Sequence, residues 1–222
     1  MFEIFYNESK NKNMKYVISL SEDKQLAFES SCSTGRTDIV KWMLDNFYKN
    51  SKKEIDIHAN DEFAFRYACH GGHFDMVKLL WEVSLKSINI HAKEEDAFRW
   101  ACEKGHFEIA KWLWEVSQRE TKETGRETGK IDLHLDDEWI FRWTCSNGHL
   151  EIAKWLWEIS SKSINIHVVG EYAFCYACLE GYIDTAKWLW EISSKSIDIH
   201  YCADFVFRYS SVHVVEWLNT LK

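Results

Sequence analysis

Five times the chain writes nearly the same four residues: Ile55-Asp56-Ile57-His58, Ile88-Asn89-Ile90-His91, Ile131-Asp132-Leu133-His134, Ile164-Asn165-Ile166-His167 and Ile197-Asp198-Ile199-His200. Successive copies lie 33, 43, 33 and 33 residues apart, and each His is followed seven residues later by Phe65, Phe98, Phe141, Phe174 or Phe207. A weaker copy opens the array, with Ile18-Ser19-Leu20-Ser21 in register and Phe28, Cys32, Gly35 and Trp42 in step. This period constrains the fold more than any composition does. A unit of roughly 33 residues cannot bury its own apolar face and must stack on its neighbours. The spacing predicts an N-terminal arm over 1–17, repeats near 18–54, 55–87, 88–130, 131–163 and 164–196, and a degenerate C-terminal cap over 197–222.

Inside a repeat the pattern is helical. Ala97, Phe98, Ala101 and Cys102 fall on one face of a short first helix, which Gly105 ends. The second helix carries Ile109, Ala110, Trp112, Leu113, Trp114 and Val116, leaving only Glu108, Lys111 and Glu115 as a polar stripe. Trp112 and Trp114 point about 200° apart, so the helix needs a neighbour on each side. The prediction is an all-α solenoid of six helix-turn-helix repeats.

The motifs that carry a resemblance are Ala68-Cys69-x-x-Gly72-His73, Asp75, Met76-Val77-x-x-Leu80-Trp81 and Asn89-Ile90-His91-Ala92. They resemble ankyrin repeats. More narrowly, Ala97-Phe98-Arg99-Trp100-Ala101-Cys102-Glu103 and Ile109-Ala110-Lys111-Trp112-Leu113-Trp114-Glu115 look like the ankyrin-repeat proteins encoded by giant DNA viruses of the mimivirus type. The resemblance implies an ankyrin-repeat α-solenoid without catalysis, cofactor or metal, binding a protein on its concave face. It points to a virus-encoded adaptor or decoy, monomeric, in the host cytoplasm, with virion association left open. The chain departs from the ankyrin pattern where Thr-Pro-Leu-His is replaced by Phe63-Ala64-Phe65-Arg66. The segment before the first helix is also shorter and the one after the second helix longer. Tight turns are therefore expected in place of β-hairpin fingers, with the second helix prolonged through Glu82-Val83-Ser84. The extra residues of the third repeat, within 118–130, are polar and read as a solvated loop.

Composition narrows the function classes. With 46% hydrophobic and 28% charged residues the chain is no disordered tail. No 18-residue apolar run exists and the start lacks a signal-peptide pattern, which predicts an intracellular protein. A net charge of −8 without a basic run disfavours nucleic acid and membrane as partners. The 12 Trp and absent Pro are repeat features multiplied by the number of copies.

Candidate chemistry reduces to stacking. Cys32, Cys69, Cys102, Cys145 and Cys178 share one repeat position as small hydrophobes, since stacked helices stand about 8–10 Å apart and a disulfide needs Cα atoms within about 7 Å. Cys175 and Cys178 form a lone C-x-x-C, which supports neither a zinc site nor a redox motif. The ladder His58, His91, His134, His167 and His200 is expected to bond turn backbone between repeats, and a column of imidazoles is a candidate for loosening on acidification. The turn histidines after Gly are read in the same way. Glu62–Arg66, Glu95–Arg99, Glu138–Arg142 and Asp204–Arg208 read as i,i+4 helix pairs, with a row of arginines that meets an acidic partner as the alternative. No nucleophile, base and orienter form a triad, and catalysis is not expected.

Binding is expected where residues change between repeats while their surroundings stay constant. Two such stretches stand out. One is the turn after the tetrapeptide, at Asn60, Lys93, Glu94, Asp136, Asp137, Val169-Gly170 and Tyr201-Cys202. The other precedes the Gly, at His70-Gly71, Glu103, Lys104, Ser146, Asn147, Leu179 and Glu180. An alternative reading is a reader of a small ligand or a methylated lysine, caged by aromatics such as Trp139 and Tyr172.

Overall fold

The computed structural model describes residues 14–15, 23–48, 54–85, 87–124, 130–160, 163–193, 196–199, 206 and 211–221. The arm apart from 14–15, the first tetrapeptide, His200 of the ladder, residues 201–202 and Asp204–Arg208 as a pair lie outside them. Among the described residues the elements are helices, with no strand: α1 (Lys24–Ser33), α2 (Thr37–Met43), α3 (Ala59–His70), α4 (Phe74–Val83), α5 (Ala92–Glu103), α6 (Phe107–Thr124), α7 (Leu135–Ser146), α8 (Leu150–Ile159), α9 (Val168–Leu179), α10 (Ile183–Ile192) and α11 (Val212–Asn219). A π-helical turn, Leu44–Tyr48, continues α2. The chain forms two structural units, Met1–Ala97 and Phe98–Lys222, with the boundary inside α5.

In the first unit α1 packs on α3, and each of these first helices pairs with its own second helix. Phe28 and Phe65 are fully buried at the centre, joined by Ile39, Val40, Met76, Val77 and Leu80. The second unit repeats the design with α7 on α9. Here the reason for two opposed tryptophans becomes visible. Phe98 lies 6.4 Å from Trp114 of its own repeat and 6.1 Å from Trp155 of the next. Phe141 stands likewise between Trp157 and Trp188, and Phe174 between Trp190 and Trp217. Each of these three buried Phe rings is thus held by one Trp from either side, a geometry that aromatic pairs favour at these separations.

Second helices end as expected, α4 running to Val83 with Ser84 as its cap. The segment expected as a loop after Ser117 does not form one at its start. Residues 118–124 continue α6 as helix. Gln118, Arg119, Glu120, Lys122 and Glu123 are strong helix formers and no Gly stands before Gly125, so propensity rather than apolar periodicity carries the extension.

The cysteine column is buried and free. Burial pushes the Cys102 and Cys145 thiols well up and that of Cys178 up to about 12, so these are inert packing groups. Cys175 is disulfide-bonded, and not to its C-x-x-C neighbour Cys178, which is free.

Candidate functional site

Four repeats, those from 55 to 196, enter their first helix through a left-handed turn. Asn60, Asp61 and Glu62 have φ of 54, 55 and 62°, and Lys93-Glu94-Glu95, Asp136-Asp137-Glu138 and Val169-Gly170-Glu171 do the same. Left-handed backbone costs roughly 1–2 kcal/mol per L-residue, so something must hold these turns. It also explains part of the missing proline, whose φ is locked near −65°. At Ala64 a Pro would in addition push Phe63 out of the right-handed helix it opens.

Two devices hold the turn. Asp56, Asn89, Asp132 and Asn165 accept the backbone N–H of the ladder His two residues on, forming an Asx turn. Next, the buried glutamate four residues after the His takes its imidazole Nδ1. His58–Glu62, His91–Glu95, His134–Glu138 and His167–Glu171 meet at 2.9, 2.8, 3.0 and 2.9 Å. The same carboxylates accept a backbone N–H of the following repeat, from Asn89 to Glu62 and from Asn165 to Glu138, both at 3.1 Å. The ladder histidines therefore bond carboxylates, and it is the glutamates that bridge repeats. Sequence periodicity carried this signal, for Glu stands at that position in all four repeats from 55 to 196.

The expected Glu–Arg helix pairs do not form. Glu62, Glu95 and Glu138 lie in left-handed backbone, where i,i+4 spacing no longer places side chains together. Arg66 instead clamps the turn, donating Nε to Asp61 O at 2.7 Å, Nη2 to Asn60 O at 3.1 Å and Nη1 to Asp96 of the next repeat at 2.8 Å. Arg142 donates Nε to Asp137 O at 2.7 Å and Nη2 to Asp136 O at 2.9 Å. Arg99 pairs with Asp136 at 3.3 Å and lies 4.2 Å over the Trp139 ring. The fourth position of this column is Cys175, and there the turn carries Gly170, to which left-handed backbone costs nothing.

A second lock joins repeats at the Gly turn. His73 Nε2 bonds Ser33 O at 3.1 Å and His149 Nε2 bonds Glu103 O at 2.9 Å. These are the backbone contacts expected of the turn histidines. Burial holds His149 below the ordinary imidazole range; His106 and Lys104 add to this, while the Glu103 carbonyl and carboxylate oppose it. The folded protein thus binds this proton less readily than the unfolded chain. The stabilisation is complete above the unfolded value of about 6.5 and is lost as pH falls through it. The urea midpoint advantage of the wild type over His149→Gln, which keeps a donor for Glu103 O, should shrink between pH 7.5 and 5.5; an unchanged difference would refute the assignment.

Along the first helices of the second unit runs a belt of half-buried aromatics. Trp139 lies 5.6 Å from Trp143, Trp143 6.0 Å from Tyr172, and Tyr172 stacks on Tyr176 at 4.2 Å. Arg142 sits 5.1 Å over the Tyr172 ring. Burial and the neighbouring Tyr176 raise the Tyr172 phenol above its usual range, with Arg142 pulling the other way.

Residues 28–124 match the family model for ankyrin repeats in three copies. Among solved structures, the human ASB11 ankyrin repeat domain is similar, with a TM-score of 0.55 and 20% identity over 87% of this chain and 82% of that one. The fold is that of ankyrin repeats. No curated protein sequence matches significantly. Ankyrin repeats are a scaffold family without catalysis of their own that generally mediates protein–protein interaction.

Against this ankyrin frame, the variable residues divide. Glu94, Asp137 and Glu180 are exposed, and Leu179 is half-buried beside Glu180. Several others are held by the stack after all. Asn60 donates to Glu29 at 2.9 Å, Lys93 pairs with Asp61 at 2.8 Å and holds that carboxylate below its usual range, and Asp136 pairs with Arg99. Lys104 is bonded to Glu103. Ser146 is buried and spends its hydroxyl on Trp143 O, to which Asn147 also donates. Asn60, Lys93 and Asp136 pair across repeats, a dependence invisible when each column is read alone. Trp143 and Tyr176 were not among the predicted binding residues, although an aromatic stands nine residues after the His in every repeat from 55 onward, and Arg142 was read first as helix support.

A hydroxyl, imidazole and carboxylate do stand in line, contrary to the sequence reading. Ser87, Ser163 and Ser196 Oγ lie 3.5, 3.3 and 3.4 Å from Nε2 of His58, His134 and His167. Each serine hydroxyl, however, donates to the carbonyl three residues back at 2.6, 2.6 and 2.5 Å. An arrangement copied in three repeats, with its proton already placed on a carbonyl, serves the stack. Among the described residues no group of three His, Cys, Asp or Glu could hold a metal ion, and no helix is long and apolar enough to cross a membrane.

Proposed function

We propose that this chain is a non-catalytic scaffold that holds another protein on the first-helix face of its second structural unit. The observation that carries the reading is the belt of Trp139, Trp143, Tyr172 and Tyr176 interleaved with Arg99 and Arg142. Trp, Tyr and Arg are the residue types in which binding energy concentrates at interfaces. The motif resemblance to giant-virus repeats supports an adaptor or decoy acting on a host protein. A methyl-lysine cage has less in its favour, because the faces of Trp139 and Tyr172 already carry the chain's own guanidinium groups.

Pull-down from a host-cell extract tests the face. Trp143→Ala with Tyr176→Ala should reduce captured protein at least tenfold while circular dichroism stays helical. Changing Glu103, Lys104, Ser146 and Asn147 together serves as the comparison. Capture unaffected by the aromatic changes, or lost only with the second set, would move binding away from the belt.

A further inference from the structure

One column of contacts crosses the repeats from the residue after the buried Phe to the turn of the next repeat. Its described rungs are chemically matched. Glu29 takes the amide of Asn60 at 2.9 Å, Arg66 takes Asp96 at 2.8 Å and Arg99 takes Asp136 at 3.3 Å. The acids that meet the arginines come from two turn positions, the second and fifth residues after the ladder His. For Arg142 those positions in the next repeat are Val169 and Tyr172. No acid stands at either.

Arg142 is nonetheless firmly oriented. Two backbone carbonyls hold Nε and Nη2, the Tyr172 ring lies against the guanidinium, and Nη1 has no hydrogen-bond partner among the described residues. Carbonyls orient a guanidinium without neutralising it. A fixed, uncompensated, half-buried cation flanked by Trp143, Tyr172 and Tyr176 is complementary to one carboxylate carried between apolar side chains.

We propose that Arg142 receives an Asp or Glu side chain of the partner protein, in the place where Asp136 meets Arg99 within the array. The inference rests on the scaffold reading and specifies its partner as a segment presenting one acidic residue beside aromatic or aliphatic ones. A side chain is favoured over a chain terminus because side-chain carboxylates, Asp96 and Asp136, fill the corresponding rungs.

The test is selection of a displayed random twelve-residue peptide library on the full chain, followed by calorimetry with recovered peptides synthesised as C-terminal amides. Recovered sequences should share one Asp or Glu flanked by apolar residues, and its change to Asn should weaken binding at least tenfold. Arg142→Gln should do the same. The decisive variant is Val169→Asp, which keeps Arg142 and the aromatic belt but supplies the acid from the array itself; it should also weaken binding at least tenfold with helicity unchanged. Peptides without a shared acid, equal affinity of the Asn peptide, equal binding by Val169→Asp, or recovery of no peptide would each overturn the proposal. So would a requirement for a free C-terminal carboxylate, or tenfold tighter binding of phosphoserine in place of Asp. The scaffold reading is judged separately, by capture through Trp143 and Tyr176.

Discussion

Glu138→Ala should destabilise the protein by about 3 kcal/mol, far beyond an average substitution. Glu138 is only 6% exposed. Its carboxylate takes His134 Nδ1 within its repeat and the Asn165 N–H of the next. Alanine would remove the charged acceptor that this imidazole and this N–H share, and a hydrogen bond to a charged group contributes roughly 1.5–3 kcal/mol. It would also release a left-handed turn held against its own preference. Glu138→Gln, which retains an acceptor oxygen and the shape, should cost about 1 kcal/mol. Asp137→Ala, one residue away but exposed, should stay within about 0.5 kcal/mol. Urea titrations of the three variants check the order; equal losses at Glu138 and Asp137 would show that the bridge between repeats contributes nothing.

Gly148→Ala is the second large effect, expected at roughly 3 kcal/mol. A Cβ on Gly148 would come within 2.3 Å of the Tyr182 ring, and the residue sits at φ +75°. Gly181 separates these two causes, having φ +82° with nothing within 4 Å of an added Cβ. Gly181→Ala should therefore cost only the backbone share, about 1 kcal/mol. Adding Tyr182→Ala to Gly148→Ala should restore stability relative to the sum of the single changes, by about 1 kcal/mol or more. Strict additivity in the double-mutant cycle would place the cost elsewhere than in the ring contact.

The aromatic ladder of the core was legible in the sequence because it depends on position alone. Phe recurs seven residues after each ladder His, and two tryptophans on opposite sides of one helix demand two neighbours. Phe98 between Trp114 and Trp155 fulfils that requirement. The helix boundaries at Gly105 and Val83 followed from the same periodicity. The extension of α6 did not, because a helix with no apolar face leaves no periodic trace.

The candidate site was legible only in part. Turn residues such as Lys93 and Asp136 were recognisable as variable, yet they vary as partners of Asp61 and Arg99. A single column of residue types cannot reveal a pairing between columns. The Glu–Arg spacing misled for a backbone reason: i,i+4 proximity of such pairs holds in a right-handed helix, and these glutamates have φ between 60 and 68°.

The repeated tetrapeptide, with its Phe, Gly and opposed Trp, was sufficient by itself to determine an all-helical stack of repeats, since a short unit with apolar residues on all sides has no other way to leave water. Which way the chain turns into its first helices, which carboxylate meets which cation, and that Arg142 meets none among the described residues, were decided by tertiary structure. Those outcomes depend on backbone dihedrals and on distances between repeats, quantities that residue order constrains only after the stack has formed.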